Sequence, residues 1–154
     1  MKHCNKDQDM KSDIKERWIA ALESDKYKQT KSMLVNSYGH CCLGVLCELA
    51  VEDGIIEKIE EQEVDIIYDD DDFEVDEKLV FDFDGNPVMN YSFDHENEVL
   101  PKKVQEWAGL NNCDPLLYSE EFGTDSVKEV RCSTANDELK KSFKEIAQLI
   151  RDNL

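Results

Sequence analysis

Glycine and proline are scarce in this chain of 154 residues, six and three respectively, and the glycines (Gly39, Gly44, Gly54, Gly85, Gly109 and Gly123) never cluster. That excludes the glycine-rich phosphate loop and the dinucleotide-binding fingerprint, both of which need closely spaced glycines to bring backbone N–H groups against a phosphate. It also excludes a flexible Gly/Ser linker between domains. No stretch approaches the ~20 apolar residues of a membrane-spanning helix. The opening Met1-Lys2-His3-Cys4-Asn5-Lys6 has no apolar core, so no secretory leader is expected. G-x-S-x-G and H-E-x-x-H are absent. The six cysteines (Cys4, Cys41, Cys42, Cys47, Cys113 and Cys132) contain no C-x-x-C pair and match no disulfide framework. They read as reduced thiols of a bacterial cytosol, which is the expected location.

Positive charge is the other shortage, and it is local. Between Glu57 and Glu98 there are 17 acidic residues against Lys58 and Lys78 alone, so this segment carries −15 of the formal net charge of −18. Direct binding of a nucleic-acid backbone is therefore not expected, since phosphate contacts need Lys and Arg. An acidic mimic of nucleic acid, acting through Glu57 to Glu98 on a basic protein, stays open. Neither Asp69 to Asp72 nor Asp82-Phe83-Asp84-Gly85-Asn86 completes a calcium loop, which needs a D-x-D-x-D-G run and a Glu at position 12. No metal and no cofactor are expected.

The rest is ordinary globular sequence. Hydrophobic content is 40%, and a chain of this length builds a core without staples. Ile14, Trp18, Ala21 and Leu22 share a face, predicting a helix over Ser12 to Ser24 with Ser12 as N-cap. Asp25 to Ser32 reads as a loop and Met33 to Tyr38 as a short strand. Cys41 to Asp53 is apolar nearly all round, the pattern of a helix buried on most sides. Gly44 within it costs about 1 kcal/mol relative to Ala, so it implies close packing of another element. Val64 to Tyr68 predicts a strand, and Asp69 to Asp72 a solvated loop. Leu79 to Phe93 predicts a hairpin about Gly85-Asn86-Pro87, with one aromatic face. Leu100 to Ala108 reads as a helix with Pro101 first, Gly109 at its end, and Val104 and Trp107 inward. Asp114-Pro115 marks a turn, and Ser126 to Cys132 a strand. Ser142 and Glu145 form a capping box for a last helix buried on Phe143, Ile146, Ala147 and Ile150. The expectation is one α+β domain over 1–154, about four helices packed on a small, mainly antiparallel sheet, with an acidic strand and hairpin insert at 57–98.

Several segments together resemble a family of small, mostly phage- and prophage-encoded proteins of uncharacterised function. They are Trp18-Ile19-Ala20-Ala21-Leu22, Tyr27-Lys28-Gln29, Cys41-Cys42-Leu43-Gly44-Val45-Leu46-Cys47, Leu100-Pro101 with Val104 and Trp107-Ala108-Gly109-Leu110, Asn136-Asp137, and Ser142-Phe143-Lys144-Glu145-Ile146-Ala147. The Cys41 to Cys47 run is the most specific. The resemblance implies a phage or prophage origin and an accessory role; it brings no catalytic residues. The acidic insert between Gly54 and Leu100 departs from the family's shorter members.

Three candidate sites follow. His40, Cys41, Cys42 and Cys47 suggest zinc, but Cys42 and Cys47 lie about 140° apart around a helix and do not converge on one metal. Cys41 or Cys42 near a helix N-terminus, with His95 as base and Asn136 or Asp137 to orient it, is the pattern of a cysteine-dependent hydrolase. Cysteine's strong tendency to burial favours a core role instead. The loop Lys26 to Lys31 offers Tyr27, Lys28 and Gln29 for stacking on a base and holding a phosphate. Arg131, Asn136 and Asp137 complete a candidate ligand set, although Asn136-Asp137 also reads as a plain turn. The leading functional expectation is a counter-defence binding protein that sequesters a small nucleotide-type ligand or blocks a host protein. The acidic mimic and the hydrolase are the alternatives, and an aromatic-faced hairpin is compatible with a homo-oligomer.

Overall fold

The computed structural model describes residues 10–119 and 129–154. At its centre is α2 (Cys42–Glu52), where Cys42, Leu43, Gly44, Val45, Leu46, Cys47, Leu49 and Ala50 are all buried. Around it pack α1 (Ser12–Glu23), α3 (Lys102–Ala108) and α4 (Cys132–Asp137). The last helix, α5 (Phe143–Asn153), lies along α1 and beside α4. A helix apolar on all sides is stable only when enclosed in this way, because any face turned to water forfeits roughly 25 cal/mol per Å².

Gly44 is where the enclosure is tightest. A Cβ built on it would stand 1.8 Å from the carbonyl oxygen of Leu34. That same oxygen accepts the N–H of Cys41, the residue before α2 (3.0 Å). Glycine is required there because the backbone of the preceding segment occupies the side-chain position. At the other face, Trp18 Nε1 donates to the Cys42 carbonyl (2.9 Å), which satisfies the indole of a fully buried tryptophan.

The α+β architecture agrees with the sequence, as a single domain, with differences in detail. Among the described residues there are five helices and four two-stranded antiparallel sheets. The strand expected at Met33 to Tyr38 is a small hairpin, β1 (Val35–Asn36) with β2 (Gly39–His40). Its turn is held by Asn36 Oδ1, which accepts the N–H groups of Tyr38 and Gly39. Ser12 is the first residue of α1; Lys11 is the N-cap and offers no side-chain bond. Pro101 is likewise the cap of α3, one place before the helix begins, where its missing N–H costs nothing. Asn136 and Asp137 end α4 and do not form a turn. The capping box predicted for α5 is present in both directions, Glu145 N–H to Ser142 Oγ and Ser142 N–H to Glu145 Oε1. Of the strand expected at Ser126 to Cys132, β8 (Glu129–Arg131) pairs with β7 (Leu116–Tyr118); Ser126 to Lys128 lie outside the described residues.

The acidic insert departs most from expectation. Leu79 and Met89 to Phe93 do not pair with each other. β6 (Met89–Phe93) pairs instead with β3 (Lys58–Gln62), and Leu79, ending β5 (Glu74–Leu79), pairs with Val64 of β4 (Val64–Tyr68). Of the expected hairpin there remain the bridge between Phe81 and Pro87, the turn within it and the bond from Val88 N–H to Val80 O just outside it. β3 and β6 therefore form a stem that divides into two branches, the β4–β5 arm and the 80–88 loop. At the junction Val80 N–H donates to Glu63 O (2.9 Å), Glu63 N–H to Val88 O (2.8 Å) and Val88 N–H to Val80 O (3.0 Å). All six backbone groups are satisfied in a closed ring, so the branch point is a defined structure. The reason for the difference is local: Lys58-Ile59-Glu60-Glu61-Gln62 has no strand-like alternation, so nothing in it competes on sequence with the obvious nearby partner.

Gly44→Ala is expected to destabilise the fold by about 3 kcal/mol, since the added methyl meets backbone and not a flexible side chain. Thermal melting checks this: at ~2–4 °C per kcal/mol for a chain this long, a Tm within a degree of wild type would show that the helix simply shifts.

Candidate functional site

The sequence-predicted ligand residues are brought partly together. Gln29 Nε2 donates to Asn136 Oδ1 (2.8 Å) and to the Lys141 carbonyl (2.7 Å). Asn136, buried, donates from Nδ2 to Thr30 O (2.7 Å) and to Asp137 Oδ1 (2.8 Å). These amides stitch the Tyr27 loop to the end of α4, and the N–H donors of both are engaged inside the chain. Gly39 holds the same loop from its other side: a Cβ there would lie 2.3 Å from the Lys28 carbonyl, which accepts the His40 N–H (2.7 Å). Lys28 itself is exposed.

Beside this seam an open cleft of about 350 Å³ lies between the Tyr27 loop and the start of α5, lined by Leu22, Asp25, Tyr27, Gln29, Ser142, Phe143 and Lys144. It offers an aromatic ring, a cation and an acid. Arg131 does not line it. Its guanidinium donates to the Asp114 carbonyl (3.0 Å), close to where Asp114 also takes Ser133 N–H (3.0 Å) and the Ser133 hydroxyl.

The thiols are in the core. Cys41, Cys42, Cys47 and Cys132 are buried, and Cys42 Sγ donates to the Cys132 carbonyl (3.5 Å). Desolvation, with the neighbouring Cys42 thiol, raises the Cys41 pKa far above the ordinary thiol range. The bond to Cys132 and burial do the same for Cys42. A nucleophile needs the reverse, an accessible thiolate. His95, the suggested base, is exposed in a turn at the end of the insert stem, with φ +70°.

One cluster went unseen in the sequence. His40 Nε2 meets Glu48 Oε2 at 2.6 Å, and Lys58 Nζ donates to the same oxygen at 2.7 Å. Lys58 also lies over the rings of Tyr91 (5.2 Å) and Phe93 (5.9 Å), and the Tyr27 and His40 rings meet edge to face at 4.9 Å. The available signal was Glu48, the single charged residue between Cys41 and Val51. A charge in so apolar a helix needs a partner. Burial alone would push the Glu48 carboxyl up; the hydrogen bonds from His40 and Lys58 outweigh it and hold the group below its usual range. The cluster clamps the root of the insert to α2.

A family model described as a domain of unknown function (DUF8296) matches residues 10–154. The chain belongs to that family. No curated protein and no solved structure matches it. Within this DUF8296 domain the Cys41 to Cys47 run is accounted for by packing: an indole on the Cys42 carbonyl, a backbone against Gly44, and buried thiols. No helix of the described residues is long and apolar enough to cross a membrane.

Two outcomes follow. In the native domain a thiol reagent should modify exposed Cys113 first among the described cysteines and reach Cys41 and Cys42 only on unfolding; peptide mapping that finds either labelled at the Cys113 rate would restore the nucleophile. Glu48 should add about 2 kcal/mol through its charged hydrogen bonds. Because its folded pKa is lowered, that stability is complete above the ordinary carboxyl value of 4.5 and disappears as pH falls through the folded value. Denaturation of wild type and Glu48→Gln should thus differ at pH 7 and converge in acid; a gap independent of pH would mean the carboxylate charge contributes nothing.

Proposed function

We propose that this protein is a phage- or prophage-encoded accessory protein that acts by binding, and that it blocks a host protein through its acidic insert as a counter-defence factor. One observation carries the reading. Of the eleven exposed large hydrophobic side chains among the described residues, eight (Val64, Ile66, Ile67, Tyr68, Phe73, Leu79, Phe81 and Phe83) lie on the insert. Clustered apolar exposure of this kind marks interaction surfaces, whereas scattered single residues do not. The carboxylates around them keep the surface soluble until a partner covers it, and favour a basic partner. The body supports the insert without sharing its chemistry: Cys41, Cys42, Cys47 and Cys132 are core residues, and Gln29 and Asn136 are hydrogen-bonded within the chain.

A second reading, sequestration of a small nucleotide-type ligand, is favoured by the cleft where Tyr27 and Gln29 meet Lys144. A ring to stack on a base and a cation for a phosphate suit that ligand class. Both N–H donors of the Gln29 amide are already engaged, which leaves the cleft few donors for specificity, and the insert reading is preferred.

The junction supplies the test. Glu63 and Val80 are backbone neighbours, so an Asn-Gly turn joining them removes the β4–β5 arm without disturbing the stem. This variant should move Tm by less than about 4 °C, the equivalent of about 1 kcal/mol. It should also lose capture of the host partner that the intact protein retains at low salt and releases at high salt. Undiminished capture and counter-defence activity without the arm would end the insert reading. Native mass spectrometry after incubation with a nucleotide extract tests the other: a stoichiometric nucleotide, lost in Tyr27→Ala, would place function in the cleft.

A further inference from the structure

The register of the β4–β5 arm separates its two faces. Residues directly opposite in an antiparallel pair point the same way. Val64 stands opposite Leu79 and Ile66 opposite Glu77; Asp65 stands opposite Lys78 and Ile67 opposite Asp76. Alternation along β4 adds Tyr68 to the face of Val64 and Ile66, past a register irregularity after Ile67 that sets Tyr68 opposite Glu74. One face therefore carries an apolar strip of Val64, Ile66, Tyr68 and Leu79 with the Glu77 carboxylate beside Ile66, and each of the four apolar residues is substantially open to water, at 38%, 40%, 56% and 50%. The other face is mixed. β4 and β5 make their substantial packing contacts with each other, and a two-stranded sheet with nothing on its face is marginal in water. From Glu63 to Leu79 the arm carries nine carboxylates and one lysine.

We infer that the Val64, Ile66, Tyr68 and Leu79 face is the contact surface for a basic protein partner, one presenting an apolar strip bordered by Lys and Arg. This deepens the proposed blocking role and rests on it. Charge complementarity selects the occupant. A second copy would bring two sets of nine carboxylates within the ~8 Å over which charges act at physiological ionic strength, whereas a basic surface gains from every one of them. Nucleic acid is refused by the same carboxylates. The apolar strip adds what charge alone does not, a buried centre that sets affinity inside a polar rim that sets approach rate. Four side chains are less than a standard interface of roughly 800 Å² per partner needs, so the contact takes in Phe81 and Phe83 of the adjoining loop. There Asp82 Oδ1 accepts the N–H groups of Asp84 and Asn86, which fixes the backbone of the turn that carries the fully exposed Phe83.

The test uses the full chain and two defined probes: a hairpin peptide of alternating Val and Lys about an Asn-Gly turn, and octalysine as a charge-only control. The hairpin should bind at least ten times more tightly, with amide shifts centred on β4 and β5. Ile66→Ser with Tyr68→Ser, which leaves the charge unchanged, should erase the difference; Val64→Ser with Leu79→Ser should repeat the result. Equal binding of the two probes, or a preference that survives both double variants, would overturn the inference. Sedimentation showing a dimer that the serine variants dissolve would overturn it in favour of a second copy. Loss of host-partner capture on arm deletion, combined with full capture by the serine variants, would defeat this inference alone and leave the blocking role standing.

Discussion

The approach of the Leu34 carbonyl to Gly44 is the constraint on which the rest of the structure depends. It lets a backbone segment lie directly on the central helix, and the consequences run outward in both directions. The same carbonyl takes the Cys41 N–H and so starts α2, while the Leu34 N–H donates to Asn97 O and holds the chain leaving the insert. One glycine thus sets the start of the buried helix and the position of the segment that returns from the acidic excursion.

Enclosure of α2 also decides which groups are available for chemistry. A helix surrounded by protein turns its thiols into packing atoms, and burial raises their pKa values away from reactivity. The polar groups near it are closed into pairs: Trp18 with the Cys42 carbonyl, Gln29 with Asn136, Glu48 with His40 and Lys58. The His40, Glu48 and Lys58 cluster looks like catalytic furniture in isolation. Its geometry is that of an anchor, since Lys58 belongs to the first strand of the insert and its stem is held down by that ion pair and by the rings of Tyr91 and Phe93.

The molecule divides its labour accordingly. The helical body holds nearly all of the buried apolar residues, and the insert holds most of the charge and most of the uncovered apolar surface. The branching of one stem into two arms, closed by the ring of bonds among Glu63, Val80 and Val88, permits an elaborated surface without a second core. That separation is what makes the insert removable in principle without opening the core of the body.

Much of the body was legible in the sequence because its signals are local. The faces of α1 and α5, the capping box at Ser142 and the all-round apolarity of Cys41 to Asp53 each arise from neighbours a few residues apart, where periodicity and hydrogen-bond chemistry act directly. The special packing at Gly44 was also readable, because a glycine in a buried helix has few other reasons to be there. The insert's pairing was not. Strand partners are chosen by three-dimensional closure, and the polar β3 captured β6 although the nearer Leu79 to Phe83 looked the better match. The site residues divide the same way. Tyr27, Gln29, Asn136 and Asp137 are legible as residue types, but only the fold shows that Gln29 donates to Asn136 and that Arg131 donates to the Asp114 carbonyl. Sequence by itself determined the α+β class, the central helix and the location of the charge; tertiary structure decided which side chains are covered, because burial and pairing depend on contacts between residues far apart in the chain.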